Sequence, residues 1–393
     1  MGDESSHGQA TRAVHSGNAP AKKAINTPIY QSSTFLLDDE GYARWKAGDP
    51  EASIYTRYNN PTLTAAAQKL AALEGAEKGL VFSSGMAAIH ATLLAFLGQG
   101  DRMVTTRDLY GGTYMLLTQD FPRFGIEVEF VDLQDLEATE AALASAPTAV
   151  LHCETISNPA LKVLDLPALA KLAHAHGARA IVDNTFATPL HCRPLEQGFD
   201  LVLHSVTKYL NGHSDIIGGA VVGTKQLVDQ VWPRLRSFGG CMDPHQASLL
   251  ERGMRTFTVR MEQQTTNALE IANWLESHPR VKRVIYPGLP GHPDYALAQR
   301  VLDGPAAMVC FEVAGGDRAG KKFMDALELA TQAVSLGGVE SLVSMPCMTT
   351  HMHWTAEERE AVGIGSGFIR FSVGIEDFED LRADLERAFD LLD

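Results

Sequence analysis

The sequence predicts an α/β protein: a doubly wound, mostly parallel sheet followed by a smaller α+β unit. Three observations carry that prediction. Short apolar runs at 80–82, 103–105, 128–131, 149–152, 180–182 and 201–203 recur between stretches of helical periodicity. Most of these runs are continuous rather than alternating, as strands are when helices cover both faces of a parallel sheet. After residue 251 the pattern changes. A charged, helix-rich segment at 251–275 leads to strands at 281–286, 307–313 and 367–373, with helices between and after them.

Taken in order, residues 1–60 lack strong periodicity, contain Pro20, Pro28 and Pro50, and read as an extended arm. Helical punctuation then begins with Asn60 as N-cap, Pro61 in the first turn, apolar spacing through Leu70 and Leu73, and Gly75 as the stop. Ser83-Ser84-Gly85-Met86 ends a strand and opens a helix at 87–97. The expected division is an arm at 1–60, a cofactor-binding domain at 61–255 and a C-terminal domain at 256–393. No internal repeat or low-complexity tract interrupts it.

Composition narrows the class. A formal charge of −15 argues against nucleic acid or an anionic membrane surface as partner. The 5 cysteines are scattered and show no CxxC spacing, which fits reduced thiols in a cytoplasmic protein. The polar N-terminus has no apolar core of a signal peptide, and Met1-Gly2 with Ser6 matches only a minimal myristoylation pattern. The apolar stretch 80–97 contains Ser83, Ser84 and His90, so it reads as a buried strand and helix, not a membrane span.

The chemistry concentrates in Ser205-Val206-Thr207-Lys208, some twenty residues after Asp183-Asn184-Thr185. A lysine one strand beyond an aspartate, with hydroxyls one and three residues before it, supplies the parts of a pyridoxal phosphate site. Lys208 would bond the cofactor aldehyde, Asp183 would pair with the pyridine nitrogen, and Ser205 and Thr207 would bind phosphate. A charged neighbour is what keeps that nitrogen protonated at neutral pH. Gly85 and Met86 open a helix, whose free N–H groups make a phosphate cradle. Tyr110, before Gly111-Gly112-Thr113, has the ring to stack on a pyridine, although such an aromatic is also a common loop anchor. Asn158, before Pro159, can bond the ring oxygen, although Asn-Pro is also a turn initiator. Arg57 in Tyr55-Thr56-Arg57 can grip phosphate bidentately.

Together these pieces resemble the cysteine/methionine-metabolism family of pyridoxal-phosphate enzymes, which includes methionine γ-lyase, cystathionine β- and γ-lyases and cystathionine γ-synthase. The stretches 55–62, 182–189, 204–212, 335–342 and 369–376 match its signatures in order, over nearly the whole chain. The resemblance implies a fold-type-I enzyme, aspartate-aminotransferase-like, assembled as a homotetramer of two dimers. It implies Lys208 as the base at the substrate Cα and Tyr110 as ring partner and acid for the leaving thiol. Tyr55 and Arg57 would reach the phosphate of the neighbouring subunit. Arg370 would clamp the substrate α-carboxylate, with Ser335 and Asn158 beside it. Members that hold cystathionine carry charged side chains where this chain has Ile54, Met115 and Val334. All three are apolar here, which penalises a zwitterionic tail and accepts a thioether. The expected reaction is α,γ-elimination of methionine- or homocysteine-type substrates to 2-oxobutyrate, ammonia and a thiol. Cleavage of cystathionine and γ-replacement, of the cystathionine γ-synthase or O-acylhomoserine sulfhydrylase type, remain open. One departure from the methionine γ-lyase pattern is Gly112, where that subgroup usually has cysteine. The segment Gly239-Gly240-Cys241-Met242-Asp243-Pro244-His245 fits no subgroup.

Three motifs compete. Gly315 to Lys322 approaches a P-loop but lacks the final Ser or Thr, and would support the rival reading of a nucleotide-binding protein. Gly363-Ile364-Gly365-Ser366-Gly367 precedes a strand instead of following one. His351-Met352-His353 lacks a third metal ligand at a sensible spacing. His213 is read either as tuning Lys208 or as a loop residue.

Overall fold

A computed structural model describes residues 7–18, 24–49, 52–349, 352 and 354–392. The pattern Met1-Gly2 with Ser6, and His351 and His353, lie outside the described residues. The first sheet holds seven strands: β1 (Lys78–Phe82), β2 (Arg102–Thr105), β3 (Glu127–Phe130), β4 (Val150–Glu154), β5 (Arg179–Asp183), β6 (Leu201–His204) and β7 (Gly219–Gly223). Their order is β1-β7-β6-β5-β4-β2-β3. The five strands from β6 to β3 are parallel, and β7 runs antiparallel to both β1 and β6.

Successive residues of the central strands point to opposite faces, and both faces are covered. Leu151, Val182 and Val202 join one apolar cluster, whereas Val150, Ile181, Leu201 and Leu203 join the other. Burial on both sides is why these strands read as unbroken apolar runs. β7 was not among the expected strands: its Gly-Ala-Val-Val-Gly is brief and glycine-bounded, and glycine weakens strand propensity.

A second sheet contains β8 (Val281–Ile285), β9 (Met308–Val313), β10 (Thr331–Gln332), β11 (Leu342–Ser344) and β12 (Phe368–Ser372), in the order β10-β11-β12-β9-β8. It is antiparallel except between β10 and β11. The charged, helix-rich segment comprises the end of the helix Pro244–Met254 and most of the helix Phe257–Glu276. Asp243, from the segment that fits no subgroup, caps the first of them and accepts a bond from Gln31 Nε2 at 2.9 Å.

The arm is not simply extended. It contains helices Gln9–His15 and Asp39–Lys46. The first is held by tertiary contact, since Lys69 is fully buried. Its ammonium donates to the carbonyls of Ala13 (3.0 Å) and Ser16 (2.7 Å) and to Asn18 Oδ1 (3.0 Å). A cation on the last carbonyls of a helix satisfies groups that the helix leaves unpaired. A seven-residue helix has too weak a periodic signal to be recognised without that partner.

Candidate active site

The parallel strands end at a common level, and that edge is where open α/β sheets place their ligands. Asp183 is the last residue of β5 and is buried. Its Oδ1 accepts the Thr185 N–H at 2.9 Å and the Thr185 hydroxyl at 2.5 Å. Thr185 Oγ1 in turn accepts the Ser205 N–H at 2.8 Å, so the aspartate is wired to the loop that carries Lys208. Burial raises the Asp183 carboxyl above its usual range, while the two Thr185 bonds and the nearby His204 pull it back. Both Thr185 bonds fall on Oδ1, which leaves Oδ2 for a pyridinium N–H.

Behind Asp183 lies a buried network absent from the sequence reading. His204 Nε2 meets Glu74 Oε1 at 2.6 Å, and both residues are almost wholly inaccessible. Asn184 Nδ2 donates to the same Glu74 oxygen at 2.9 Å, and Asn184 Oδ1 accepts the Thr155 hydroxyl at 2.8 Å. Glu74 ends a helix far from these residues in sequence, so no local pattern connects it to them.

Lys208 sits in a tight turn after β6. Its N–H donates to the Ser205 carbonyl at 3.2 Å, and its own carbonyl accepts the Gly212 N–H at 2.8 Å. Arg260, a buried guanidinium that sequence reasoning missed, donates to the carbonyls of Tyr209 and Gly253, both at 2.9 Å, and pins the turn to the helix Phe257–Glu276. Lys208 Nζ donates to Ser335 Oγ at 2.7 Å. Burial, then the positive charge of Arg370, lowers the Lys208 amine from 10.5 to about 8. Such an amine is neutral far more often at neutral pH than an ordinary lysine, which is what a nucleophile requires.

Arg370 lies in the middle of β12, paired with Cys310 on β9 and Ser344 on β11. It donates to Asn158 Oδ1 at 3.2 Å and to the Ser335 carbonyl at 2.9 Å. No carboxylate pairs with this buried guanidinium among the described residues. A buried cation in that state is a receptor for an anion, because an incoming carboxylate replaces lost hydration. Ser335 holds φ +88°, a left-handed backbone unusual outside glycine, at the point where both Lys208 and Arg370 touch it.

Gly85 begins the helix Gly85–Phe96, capped by the Ser84 side chain on the Ala87 N–H. A Cβ at Gly85 would lie 3.1 Å from Ser205 Cβ and 3.2 Å from its Oγ, a tight contact that glycine avoids where this helix start meets Ser205. Thr207 Oγ1 accepts the Gly218 N–H at 2.9 Å and donates to the Gly218 carbonyl at 3.2 Å. Tyr110 is 44% exposed, and its N–H donates to Glu154 Oε1 at 2.5 Å. A Cβ at Gly112 would lie 2.6 Å from Tyr110 Cε1 and 3.1 Å from Met86 Sδ. The missing side chain at 112 is thus the seat of the Tyr110 ring.

The structure therefore gathers Lys208, Ser335, Arg370 and Asn158 by direct contacts, with Asp183, Ser205 and Tyr110 wired in alongside. Gly85 packs against Ser205, and Met86 lies beside the Gly112 seat of the Tyr110 ring. Tyr55 and Arg57 stand elsewhere: Arg57 Nη1 donates to the Arg236 carbonyl at 2.6 Å, and its guanidinium lies over the rings of Tyr55 and Tyr58. Val334 and Met115 are 64% and 47% exposed, and Ile54 pairs its carbonyl with the Phe35 N–H. His213 is exposed, and its Nδ1 pairs with the Asn211 carbonyl at 2.7 Å, which is a loop contact. The near-miss P-loop forms the start of the helix Gly316–Ala326, where Lys321 pairs with Asp325 at 2.7 Å.

These residues fit pyridoxal phosphate. A desolvated lysine, a buried carboxyl with a spare oxygen and a glycine-lined helix start are the three partners that the group's aldehyde, ring nitrogen and phosphate require.

Comparison with known proteins points to the same cofactor. The family described as Cys/Met metabolism PLP-dependent enzyme matches residues 10–390. The L-methionine gamma-lyase of Fusobacterium nucleatum subsp. nucleatum is 45% identical over 98% of each chain. The cystathionine beta-lyase of Coxiella burnetii is 44% identical over 96% of this chain and 97% of its own. The crystal structure of metB from Corynebacterium glutamicum superposes with a TM-score of 0.93 at 40% identity, covering 100% of both chains.

Proposed function

The chain belongs to the Cys/Met metabolism PLP-dependent enzyme family, and from that premise we propose α,γ-elimination of L-methionine and homocysteine-type substrates. Pyridoxal phosphate is its cofactor and, when bound, supplies an aldehyde for an amino group and a protonated ring that accepts electrons released at the substrate Cα. Methionine and water would give 2-oxobutyrate, ammonia and methanethiol.

The chain's own residues would divide the work. Arg370 would hold the substrate carboxylate bidentately and so set which Cα bond stands ready to break. Asn158 and Ser335, its hydrogen-bond partners, would orient it. Lys208 would bond the aldehyde at rest, then take the Cα proton and return it further along the substrate. Tyr110 would give a proton to the leaving sulfur. Asp183 would keep the ring nitrogen protonated, while Ser205, Thr207, Gly85 and Met86 would hold the phosphate. Tyr55 and Arg57 would reach the phosphate of a second copy in a homotetramer built from two dimers, in a cytoplasmic setting. The exposed apolar side chains of Ile25, Leu36 and Leu37 on the arm support burial against such a copy.

One observation carries the choice of methionine. Where members that hold cystathionine carry charged side chains, this chain has Ile54, Met115 and Val334, which would offer no charge to the distal amino-acid group of cystathionine. Leaving that group unpaired costs several kcal/mol, more than the roughly 1–3 kcal/mol of one misplaced methylene. The test is 2-oxo acid release from L-methionine and from L-cystathionine in parallel. Faster release from methionine supports the reading; preference for cystathionine refutes it. The similarity of the cystathionine beta-lyase relative, nearly that of the methionine gamma-lyase one, favours cystathionine cleavage as the alternative activity. If neither substrate reacts, an O-activated homoserine with added thiol tests γ-replacement.

A further inference from the structure

Glu154 ends β4 directly across the register from Asp183 on β5, so two carboxyl groups stand side by side at the strand ends. Both are buried, at 6% and 9% exposure. Glu154 makes no ion pair among the described residues. Instead it accepts the Tyr110 N–H from one loop at 2.5 Å, and the Asn158 N–H of a second loop faces it. The first loop follows β2 and carries the aromatic ring of the site. The second follows β4 and carries the amide oxygen that receives Arg370.

We infer that Glu154 is a positioning residue that clamps the Tyr110 and Asn158 loops to the strand end beside Asp183. It does so as an uncharged acid, and the hydrogen bonds show why. Asp183 has the Thr185 hydroxyl, the Thr185 N–H and nearby His204 to stabilise its negative charge. Glu154 has only two backbone N–H groups and faces the charges of Asp183 and Asp108. Burial, then Asp183, hold the Glu154 carboxyl well above the usual carboxylate range. Two adjacent buried carboxyls do not both ionise, and the proton goes to the one with the poorer partners. The charge is thereby kept on Asp183, where a pyridinium needs it.

This inference rests on Tyr110, Asn158 and Asp183 serving the cofactor as proposed above. Glu154→Gln keeps an oxygen acceptor and removes the ionisable proton. Glu154→Ala leaves two N–H groups without their partner. Each apoprotein would be titrated with pyridoxal phosphate, following absorbance and visible circular dichroism of the bound cofactor, together with KM and kcat. The Gln variant should match wild type within about threefold in Kd and retain its dichroism, because a neutral carboxyl and an amide offer the same acceptor. The Ala variant should lose about tenfold or more in Kd and show weakened dichroism from a freed ring. An Ala variant that binds like wild type overturns the clamp. A Gln variant that loses about tenfold or more in Kd overturns the uncharged acid, whether or not the Ala variant folds. Wild-type protein that binds no cofactor would instead sink the reading on which the inference stands.

Discussion

Lys208 provides the sharpest test of how this site is built, because its reactivity is set by surroundings and not by residue type. Desolvation disfavours its ammonium, and Arg370 adds repulsion, so the amine should titrate at about 8 instead of 10.5. At pH 7 an amine of that kind is roughly one-tenth neutral, whereas an ordinary lysine is neutral at about 0.03%, a difference of roughly 300-fold. The apoprotein can be pulse-labelled with trace acetic anhydride between pH 6 and 11. Mass spectrometry of the Lys208 peptide, with N-acetyl-lysine amide as internal standard, then gives the titration curve. Labelling should rise about tenfold from pH 6 to 7 and reach half its plateau near pH 8. Arg370→Met should shift that midpoint upward, since removing a neighbouring cation favours the ammonium. A Lys208 midpoint at about 10 or above, or no shift in the Arg370 variant, would refute the account of burial and repulsion.

Three further outcomes test other parts of the structure. Gly112→Ala places a Cβ 2.6 Å from the Tyr110 ring, so the ring must leave its seat. We expect kcat/KM for methionine to fall about tenfold with little change in Tm, roughly the cost of displacing a side chain with the role proposed for Tyr110; unchanged kinetics would mean that the seat is irrelevant. Arg370→Lys loses the planar fork that now reaches Asn158 and Ser335. Its kcat/KM should drop about a hundredfold or more, and an unaltered value would remove Arg370 from the carboxylate site. Glu74→Ala strips the buried partner from His204 and should lower unfolding free energy by about 3 kcal/mol in urea titration. An unmoved midpoint there would show that the pair adds nothing to stability.

The sequence alone determined what local patterning can encode. Continuous apolar runs marked the parallel strands because both faces of each strand are buried, and this appears in the order of residues along the strand. Lys208 and Asp183 stood out in the sequence because strand ends in such sheets face ligands, and their spacing is short. Arg370 and Ser335 were reached only through resemblance, since nothing near them in sequence shows that Ser335 meets Lys208. Other features left no signal of any length. β7 is a brief glycine-bounded strand that exists because β1 and β6 flank it on both sides. The helix Gln9–His15 depends on an ammonium from Lys69, 53 residues beyond Ser16. Glu154 reads as an ordinary strand-end acid until the fold sets it against Asp183 and draws the Tyr110 N–H to it from 44 residues away. Burial without charge compensation decides these roles, and burial is a property of the packed chain. Residue type and spacing named the chemistry; only the packing determined which groups are desolvated, which carry charge and which side chains they hold in place.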